Sequence, residues 1–586
     1  MKKYLAIILA AIMLLSLFAA CGETTQNPEE QTAQEPESEV PEVYGRFRKS
    51  FTVAPPTLNP YTSNDVEAND IINFTQASMY SDKATEDGNG WEWINLLAES
   101  EPQQMDEDGK VWRIKMREGL KWANGEKLDA NDYIYSFKQK IDPKQLNVTA
   151  TNIINTPLFS LVNGEAYHKG ECAWEDVGVK QLDDLTVEFT SEVSVPAINV
   201  KRFSDQITLV YEPLYEAGMN EDRTMTDYGT TVDKYMSCGA FMLTEWIPDA
   251  KFTLERNPNY AIADEIHLEG MDITIVADKQ TAIELFIQGK LDYCDIAYTD
   301  WEQFEDDPRV HEYFNDSLMY MMINLGNPNQ NNLLGNLDFR KALYYGIDRN
   351  EIANTLGVYP ATRLIRRSVI GDSNTLTPFV DLPQDYVLSA EESYNPTLAN
   401  EYLAKAYEAC GLEKASEQIL LSETATHIKA ATEILQKQYP TVFDNKLDIT
   451  IRQMPAAQAQ TARRWNPDDP TGFDIALGSL LPGATDCRLS FMYYTSDYNP
   501  PRVKWSNAEY DKLYAESQTF DLYKDVDEIV ARCQAMEKLL LDDLVVNPVY
   551  ERPEKVLFAD NVHLPVNNYV VGFGFGERYA TMTPVQ

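Results

Sequence analysis

Cationic side chains are scarce in this sequence. Its 586 residues include 50 Lys and Arg against 92 Asp and Glu, which gives a net charge of −42 at pH 7. Binding to nucleic acid requires clustered cations that neutralise phosphates, and a strongly negative surface repels phosphates and anionic lipid headgroups alike. The composition therefore excludes a nucleic-acid partner.

Histidine and catalytic motifs are also lacking. The five histidines, which lie far apart in the sequence, are His168, His267, His311, His427 and His563. None of the patterns H-E-x-x-H, G-x-S-x-G or G-x-x-x-x-G-K-[ST] occurs, and no G-x-G-x-x-G opens a helix. We therefore expect no catalytic residue, no metal site and no cofactor.

The cysteines form no recognisable motif. Besides Cys21 they are Cys172, Cys238, Cys294, Cys410, Cys487 and Cys533. Their wide spacing excludes C-x-x-C redox pairs and zinc sites. Their number is even, but the sequence does not reveal how they would pair, and we expect buried free thiols for most of them.

Long apolar runs are absent except at the N-terminus. Lys2 and Lys3 precede an apolar stretch, Tyr4–Ala20, that is short for a membrane span of roughly 20 residues and has the pattern of an export signal. An ordinary signal peptidase cut before Cys21 would place the bulky Phe18 where a small residue is required. LFAAC instead resembles the bacterial lipobox, so we predict a lipoprotein signal peptide at 1–20 and lipidation of Cys21, whose two acyl chains give stable anchoring.

The residues after Cys21 cannot form a core. Gly22–Glu42 is rich in Glu, Gln, Thr and Pro and poor in apolar residues. We predict that 21–45 is the lipidated cysteine followed by a disordered acidic tether, as a globular body held above a lipid surface requires.

The rest of the chain interleaves strand-like and helix-like segments, which predicts an α/β fold rather than a bundle or a sandwich. Lys110–Arg117 alternates polar and apolar residues after a turn, and Asp129–Asp132 caps a predicted helix, Tyr133–Lys140. Further strands are predicted at Phe252–Glu255, Leu291–Ile296, Lys446–Ile451 and Phe473–Leu477, and further helices at Asp278–Gln288, Leu337–Glu351 and Thr424–Tyr439, the last ended by Pro440.

One long segment resembles a known family. GKVWRIKMREGLKWANGEKLDANDYIYSFKQKIDP, Gly109–Pro143, is similar to the corresponding segment of the oligopeptide-binding proteins of ABC importers, the extracellular solute-binding family 5 that also serves dipeptides and nickel. Other family-like blocks follow in the expected order: Leu58–Tyr61, Val177–Asp184, Cys238–Phe241, Glu255–Tyr260, Gln288–Asp292, Phe339–Leu343 and Gly346–Arg349.

The resemblance implies a two-lobed periplasmic-binding-protein-like fold of the class II type, with mixed sheets, an extra inserted subdomain and a hinge. Lobe I would have a base domain made of 46–80, 206–298 and 546–586, with 81–205 as the inserted subdomain. Lobe II would be 299–545. A ligand would be enclosed between the lobes when they close.

The resemblance also implies a function. We expect a lipid-anchored, monomeric receptor on the extracytoplasmic face of the cell membrane that captures an oligopeptide and delivers it to the transmembrane subunits of an ABC permease with their ATPases. The acidic surface and tether fit a Gram-positive exterior, although periplasmic lipoproteins have the same start. No chemistry on the ligand is expected.

Two stretches correspond to the family's ligand contacts. Ser63, Asn64 and Asp65 would line the cleft from the first lobe, and Gly478, Ser479, Leu480 and Leu481 would bond the peptide main chain from the second.

The second stretch departs from the family pattern. Peptide binders often have Trp at about Leu480 and an ammonium-binding Asp at about Gly483, whereas this chain keeps only the later acidic residue Asp486. Either Asp486 replaces the usual partner, through a charge-assisted bond worth about 1.5–3 kcal/mol, or the ligand has no free amine.

Other ligands and roles therefore remain open. An oligosaccharide is favoured by the 33 tyrosines and the missing Asp. A nickel complex ranks lower, because few histidines are available as donors, and a peptide-sensing receptor cannot be separated from nutrient uptake by sequence. An enzyme has the least support.

Overall fold

A computed structural model describes residues 45–63, 65–145, 147–154, 159–314, 318–423, 425–479, 486–498, 503–522, 524–570 and 573–584. The predicted signal peptide, Cys21 and nearly all of the predicted tether lie outside these residues, as do Asn64, Leu480, Leu481 and Gly483. No helix among the described residues combines the length and apolar character needed to cross a bilayer.

The described strands, in chain order, are β1 (Arg46–Phe51), β2 (Tyr80–Ala84), β3 (Trp91–Asn95), β4 (Gln103–Gln104), β5 (Val111–Lys115), β6 (Val179–Gln181), β7 (Thr186–Thr190), β8 (Phe241–Ile247), β9 (Lys251–Arg256), β10 (Gly270–Ile275), β11 (Tyr293–Asp295), β12 (Val310–Tyr313), β13 (Leu318–Ile323), β14 (Tyr359–Pro360), β15 (Ile370–Asp372), β16 (Thr377–Pro378), β17 (Ala415–Ser422), β18 (Leu447–Met454), β19 (Ile475–Gly478), β20 (Val546–Glu551), β21 (Glu554–Phe558), β22 (Val562–His563) and β23 (Thr581–Met582).

The described right-handed α-helices are α1 (Val66–Thr75), α2 (Ala130–Lys140), α3 (Thr151–Ile154), α4 (Gly164–His168), α5 (Ala197–Ser204), α6 (Glu212–Ala217), α7 (Lys279–Ile287), α8 (Leu337–Tyr345), α9 (Arg349–Leu356), α10 (Ala390–Ser393), α11 (Pro396–Cys410), α12 (Thr426–Val442), α13 (Ala456–Ala462), α14 (Arg488–Phe491), α15 (Ala508–Ser517) and α16 (Val526–Asp542).

The strands form several separate sheets. Two four-stranded sheets have the orders β1-β10-β9-β8 and β4-β5-β7-β6, and a six-stranded sheet has the order β14-β20-β13-β19-β17-β18. A three-stranded sheet, β11-β21-β12, pairs residues near 300 with residues near 556. Most pairs are antiparallel, but β1 runs parallel to β10, and β17 runs parallel to β18 and β19.

Buried side chains collect around these sheets in two large groups. The first core region runs from Phe47 to Ile273 and is completed by Val556–Met582. The second core region packs on both faces of the six-stranded sheet, between Leu318 and Tyr550. A smaller cluster around Ile283 and Phe304 lies beside the three-stranded sheet.

The composition of β13 explains why the six-stranded sheet is covered on both sides. All six residues of this strand, LMYMMI, are buried. Met319, Met321 and Ile323 contribute to one apolar cluster, while Leu318, Tyr320 and Met322 contribute to the cluster on the opposite face. A strand without polar alternation is typical of a sheet that has no solvent-facing side.

The two ends of the described chain adjoin. Gly45 accepts a hydrogen bond from the backbone N–H of Glu269 at 2.9 Å, immediately before β1. A Cβ built on Gly45 would lie 3.0 Å from the Cβ of Met582, in β23. The first and last strands of the described chain therefore meet in the first core region.

Local sequence signals predicted several elements correctly. The helix predicted at Tyr133–Lys140 is α2, and its cap is formed as predicted: the Asp129 side chain accepts a hydrogen bond from the backbone of Asn131, while Asp132 accepts one from the Asp129 backbone. The strands predicted at Lys110–Arg117, Phe252–Glu255 and Lys446–Ile451 are confirmed as β5, β9 and β18.

Two helix predictions were wrong in extent. The single helix predicted at Leu337–Glu351 is two helices, α8 and α9, because the chain leaves α8 at Gly346 and Asp348 caps α9 by accepting a hydrogen bond from the Glu351 N–H at 2.9 Å. The helix predicted to end at Tyr439 continues to Val442 with Pro440 inside it. A proline in the last turn removes one hydrogen bond but need not end the helix there.

Candidate functional site

Ser63 and Asp65 form the turn that leads into α1. Ser63 is buried, and its hydroxyl donates to the Asp65 carboxylate at 3.0 Å, while the Asp65 N–H donates back to the Ser63 oxygen at 3.3 Å. This local bonding positions the first turn of α1, where Val66 and Glu67 line a cavity of about 450 Å³. This first cavity is thus lined by the residues that directly follow the predicted stretch, whereas Ser63 and Asp65 are not among its described lining residues.

The first cavity is rich in carboxylates. Its charged lining residues are Lys49, Glu67, Asp70, Asp82, Asp295, Glu577 and Arg578. Burial raises the pKa of Asp82 and of Glu577, although the positive charges of Arg578 and Lys49, respectively, act in the opposite direction. The acidic groups outnumber the basic ones, so the cavity favours a cation.

Lys49 is the buried cation of this cavity. Its ammonium donates to Asp70 at 2.9 Å and lies 5.1–5.7 Å from the ring centroids of Phe51, Phe74 and Tyr293. Burial lowers its pKa, but the charges of Asp70 and Glu577 outweigh that cost, and the net shift is upward. Lys49 therefore stays protonated and neutralises part of the negative charge.

An aromatic wall closes the other side of the first cavity. Tyr313 and Tyr569 stack with ring centroids 4.7 Å apart, and Phe575 packs edge-on against both at 5.6 Å and 5.3 Å. Aromatic walls beside a few convergent polar groups are typical of ligand pockets.

Ser479, which directly follows Gly478, lines a second cavity, in the second core region. This cavity of about 310 Å³ is bordered by the carboxyl ends of the parallel strands β17 and β19, through Ser422 and Leu477. Ligands of open α/β sheets bind outside the carboxyl ends of the strands. A Cβ on Gly478 would lie 2.5 Å from an Arg463 guanidinium nitrogen, so glycine is required for that side chain to lie against the backbone.

The second cavity is cationic. Its polar lining residues are Ser422, His427, Arg463, Ser479 and Arg552, and no carboxylate is among the described residues that line it. Apolar side chains such as Leu420 and Ile428 complete the wall. The cavity therefore has two guanidinium groups in partly apolar surroundings, and that of Arg552 also donates to the Glu554 carboxylate.

His427 adds a neutral polar group to this cavity. Burial, and then the charge of Arg552, lowers its pKa to about 4. Its Nε2 atom is buried and has no hydrogen-bond partner among the described residues. The imidazole is therefore uncharged at neutral pH and available to a ligand group.

Asp486 lies in neither cavity. It is 2 % exposed, and its carboxylate accepts hydrogen bonds from Arg488 at 2.7–3.1 Å and from Arg202 at 3.3 Å. Burial raises the pKa of Asp486, but the hydrogen bonds and charges of the two guanidinium groups outweigh it and lower the pKa below its usual value. The predicted ammonium-binding role stays a prediction, for a carboxylate that already has two cationic partners.

Asp486, Arg202 and Arg488, here called the Asp486 cluster, join the two core regions. Arg202 belongs to α5, whose residue Phe203 is buried in the first core region, whereas Cys487 and Phe491 are buried in the second. Ile198 of α5 also packs against the second core region.

A third cavity, of about 760 Å³, lies beside the same helix. It is lined by the turn from Thr85 to Trp93, by Ile198 and Lys201, and by Ser373–Leu376. The rings of Trp91 and Trp93 are 5.9 Å apart. Sequence reasoning did not find this cavity, because its walls come from segments almost 300 residues apart in the chain.

Sequence reasoning also missed His427, Arg463 and Arg552. The Arg463-Arg464 pair gave no distinctive signal, because Arg366-Arg367 is a second adjacent arginine pair in the same chain. The convergence of these residues depends on the order of strands in the sheet. Among the described residues, no group of three or more His, Cys, Asp or Glu side chains is arranged to hold a metal ion.

This chain is similar in sequence to known bacterial solute-binding proteins. The model of the family described as bacterial extracellular solute-binding proteins, family 5 Middle, matches residues 92–500. A dipeptide-binding protein of Lactococcus lactis is 25% identical over 466 residues, covering 77% of this chain and 80% of the relative. The oligopeptide-binding protein OppA of Bacillus subtilis is 24% identical over 574 residues, 94% of each chain.

A solved structure of Listeria monocytogenes OppA bound to peptide has the same fold. It superposes with a TM-score of 0.67 at 21% identity and covers 92% of this chain and 100% of that one. This match confirms the predicted mixed α/β fold of the periplasmic peptide-binding type, and the sequence matches confirm the resemblance drawn from Gly109–Pro143.

Proposed function

The chain belongs to the bacterial extracellular solute-binding proteins of family 5, and we propose that it captures oligopeptides and delivers them to an ABC permease without chemically changing them. The observation that carries this proposal is the cationic cavity at the carboxyl ends of β17 and β19. The two arginines of its lining, of which Arg552 also pairs with Glu554 outside the lining, match the anionic end of a peptide. The similarity to dipeptide- and oligopeptide-binding relatives supports the same ligand class.

The cavity suits a carboxylate for a physical reason. Arg463 and Arg552 present planar guanidinium groups, which match a carboxylate in shape and can donate two parallel hydrogen bonds. Leu420, Leu421 and Ile428 exclude water from part of the wall, and a lower local dielectric strengthens each charged hydrogen bond. The neutral His427 can donate or accept as the bound group requires.

The first cavity complements the second. Its excess of carboxylates suits a peptide ammonium or a basic side chain, and its aromatic wall suits apolar side chains. We propose that Ser63, Asn64 and Asp65 contact the ligand from this side and that Gly478, Ser479, Leu480, Leu481 and Gly483 contact it from the other. Main-chain hydrogen bonding along an extended peptide would give affinity that does not depend on its sequence.

We assign these two sides to two lobes. Lobe I would comprise 46–80, 206–298 and 546–586 with the inserted segment 81–205, and lobe II would comprise 299–545. Strand β20, at the start of 546–586, pairs within the six-stranded sheet of the second core region. The three-stranded sheet β11-β21-β12 crosses the proposed boundary near 298, because β12, which follows the boundary, pairs with β21 of the proposed first lobe. Closure of one lobe on the other would enclose the ligand.

We also propose that the protein is held at the cell membrane as a monomer. Export by residues 1–20, lipidation of Cys21 and a tether to residue 45 would place the body on the extracytoplasmic face, on a Gram-positive surface. Replacing Cys21 by Ser should release the protein from membranes, and unchanged membrane association of that variant would contradict the anchor.

The ligand is tested with matched peptides. The full chain is titrated by calorimetry with short peptides that carry either a free carboxyl terminus or a carboxyl-terminal amide. We expect the amide to bind at least about tenfold more weakly, a difference of about 1.4 kcal/mol. In Arg463→Gln the difference should shrink, whereas Arg464→Gln, a change of an exposed neighbour, should keep it.

Two outcomes would contradict the proposal. Equal affinity for the acid and the amide would exclude the cationic cavity as a carboxylate site. Failure to bind any peptide, together with binding of an oligosaccharide, would favour the second candidate ligand. That candidate is supported by the Trp91 and Trp93 rings in the third cavity, since aromatic faces pack well against sugar rings.

A further inference from the structure

Two cysteines far apart in the sequence meet in the second core region. The sulfur atoms of Cys487 and Cys533 are 3.2 Å apart, although the residues are separated by 46 positions. Both side chains are almost completely buried, at 1 % and 0 % exposure. Cys487 immediately precedes α14, and Cys533 lies in the middle of α16.

The other described cysteines have different surroundings. Cys238 donates to the side-chain oxygen of Gln76 at 3.1 Å, and Cys172 points to the carbonyl of Asn163 at 3.9 Å. Cys294 and Cys410 are buried without a second sulfur nearby among the described residues. Within the part of the chain that the structure describes, a close pair of thiols therefore occurs at this one place.

We propose that Cys487 and Cys533 form a disulfide bond in oxidising surroundings, and that this bond is a staple between the start of α14 and helix α16. A disulfide has a sulfur–sulfur bond of about 2.05 Å, so the two atoms need to approach by only about 1 Å from their present separation. Both thiols are free in the structure. The proposal goes beyond ligand capture and needs the proposed extracytoplasmic location only as the source of oxidising conditions.

The reaction requires an external disulfide, for which we name oxidised glutathione or a protein disulfide. The thiolate of one cysteine attacks one sulfur of that disulfide and releases the first thiolate product. The second cysteine then loses its proton and attacks the mixed disulfide, which releases the second product. Two protein thiols are oxidised, one external disulfide is reduced to two thiols, and the two protons leave with the products.

Burial determines when this exchange can begin. Burial, and then the hydrogen bond and charge of Cys487, raises the pKa of the Cys533 thiol well above its usual value. The closed core therefore disfavours the thiolate that must attack. The first step takes place during folding or in a locally opened state, and the finished bond is then protected by the same burial.

The position of the staple connects it to the Asp486 cluster. Cys487 stands between Asp486 and Arg488, and the Asp486 carboxylate also accepts a hydrogen bond from Arg202 of α5. A bond to α16 would fix the backbone that presents Asp486 to the first core region. The disulfide would thus restrain Asp486 and Arg488, the residues that the second core region contributes to its junction with the first.

The test follows the thiols directly. The full chain is purified in reductant, incubated with buffers of increasing ratio of oxidised to reduced glutathione, quenched with acid, alkylated in denaturant and digested without reduction. We expect a peptide that links Cys487 to Cys533, while the remaining cysteines are alkylated. Cys533→Ala should abolish the linked peptide, and Cys294→Ala, a change of an equally buried cysteine, should leave it unchanged.

A second measurement tests the staple. The oxidised full chain should unfold at a midpoint about 2–6 °C above the reduced chain, and the shift should vanish in Cys533→Ala. Free Cys487 and Cys533 after native incubation and after refolding in oxidised glutathione would overturn the proposal, as would pairing with other cysteines. An oxidised form without a higher midpoint would overturn the staple. None of these measurements uses a ligand, so they are independent of the peptide proposal.

Discussion

Buried carboxylates occur in two regions of this molecule with opposite surroundings. Asp486, at the junction of the core regions, accepts hydrogen bonds from Arg202 and Arg488, and its pKa is lowered. Glu417 and Asp474, in the second core region, accept side-chain hydrogen bonds from the neutral Gln330 and Asn327. The pKa of each is raised, chiefly by burial, although the charge of Arg452 acts in the opposite direction on Asp474. The difference teaches that burial alone does not decide a charge state; the neighbouring groups do.

The largest expected effect on stability comes from removing the charge of Asp486, which is paired with two arginines. Asp486→Asn leaves Arg202 and Arg488 buried without their counter-charge, and we expect a loss of about 3–5 kcal/mol in the free energy of unfolding. Denaturant unfolding of the full chain measures it. As a control, Asp381→Asn breaks the half-exposed pair between Arg367 and Asp381 and should cost less than about 1 kcal/mol. Equal losses in the two variants would contradict the comparison.

Glu417, which has no ion-pair partner like those of Asp486 among the described residues, should make the free energy of unfolding depend on pH. Burial, and then the charge of Asp474, raises the pKa of Glu417 from 4.5 to about 8. The folded state therefore binds this proton more tightly than the unfolded chain, so its stabilising contribution is complete below pH 4.5 and is lost as the pH rises through 8.

Glu417→Gln should remove that pH dependence. The amide keeps an acceptor for the Gln330 side chain, which donates to Glu417 at 2.7 Å, and it cannot ionise. We expect the free energy of unfolding of the variant to be about 2–4 kcal/mol higher than that of the unmodified protein at pH 9 and equal to it at pH 4. Chemical denaturation at each pH measures both values. If the free energies of unfolding of the two proteins changed with pH in parallel, the pKa of Glu417 would not be raised in the folded state.

The second cavity differs from the surroundings of Glu417 in the sign of its charge, because its charged lining residues are arginines. A Cβ on Gly478 would lie 2.5 Å from the Arg463 guanidinium, so Gly478→Ala should displace that group. We expect the preference for peptide acid over amide to fall about tenfold, or about 1.4 kcal/mol. Gly411→Ala, at a positive φ of 67° with open space around it, should cost about 1 kcal/mol of stability and leave ligand preference unchanged.

The smallest effect concerns His427. Burial and the charge of Arg552 hold its pKa at about 4, so it carries no charge over the range in which free histidine titrates. Affinity for a peptide acid should therefore stay constant between about pH 5.5 and 7.5, in the unmodified protein and in His427→Gln, with less than about threefold difference between them. A binding curve that rises below pH 7 only in the unmodified protein would contradict this.

Sequence reasoning succeeded where the signal was local. The cap of α2 depends on residues three positions apart, and the alternation in β5, β9 and β18 is visible within each strand. It failed at Gly346, where the apolar pattern continues across the boundary but the hydrogen bonds do not.

The candidate site was only partly predictable for a related reason. Ser63, Asp65, Gly478 and Ser479 were identified by resemblance, and their ligand contacts remain predictions. Ser479 lines the second cavity, whereas the other three are next to or near residues that line a cavity. The arginines of the second cavity come from a helix end and from the turn after β20, which only the strand order brings together. Asp486 was identified as an acidic residue near the cleft, but its burial between two arginines depends on α5, almost 300 residues earlier in the chain.

The meeting of Gly45 with Met582 makes the described chain almost a closed circuit. The chain begins in the first core region, forms the second and ends in the first again. A short linker could therefore join the two ends, and a new N-terminus could be placed at an exposed turn elsewhere. Such a circular permutant would keep every native neighbour. The residue at which the chain begins would change, whereas the folded body would not.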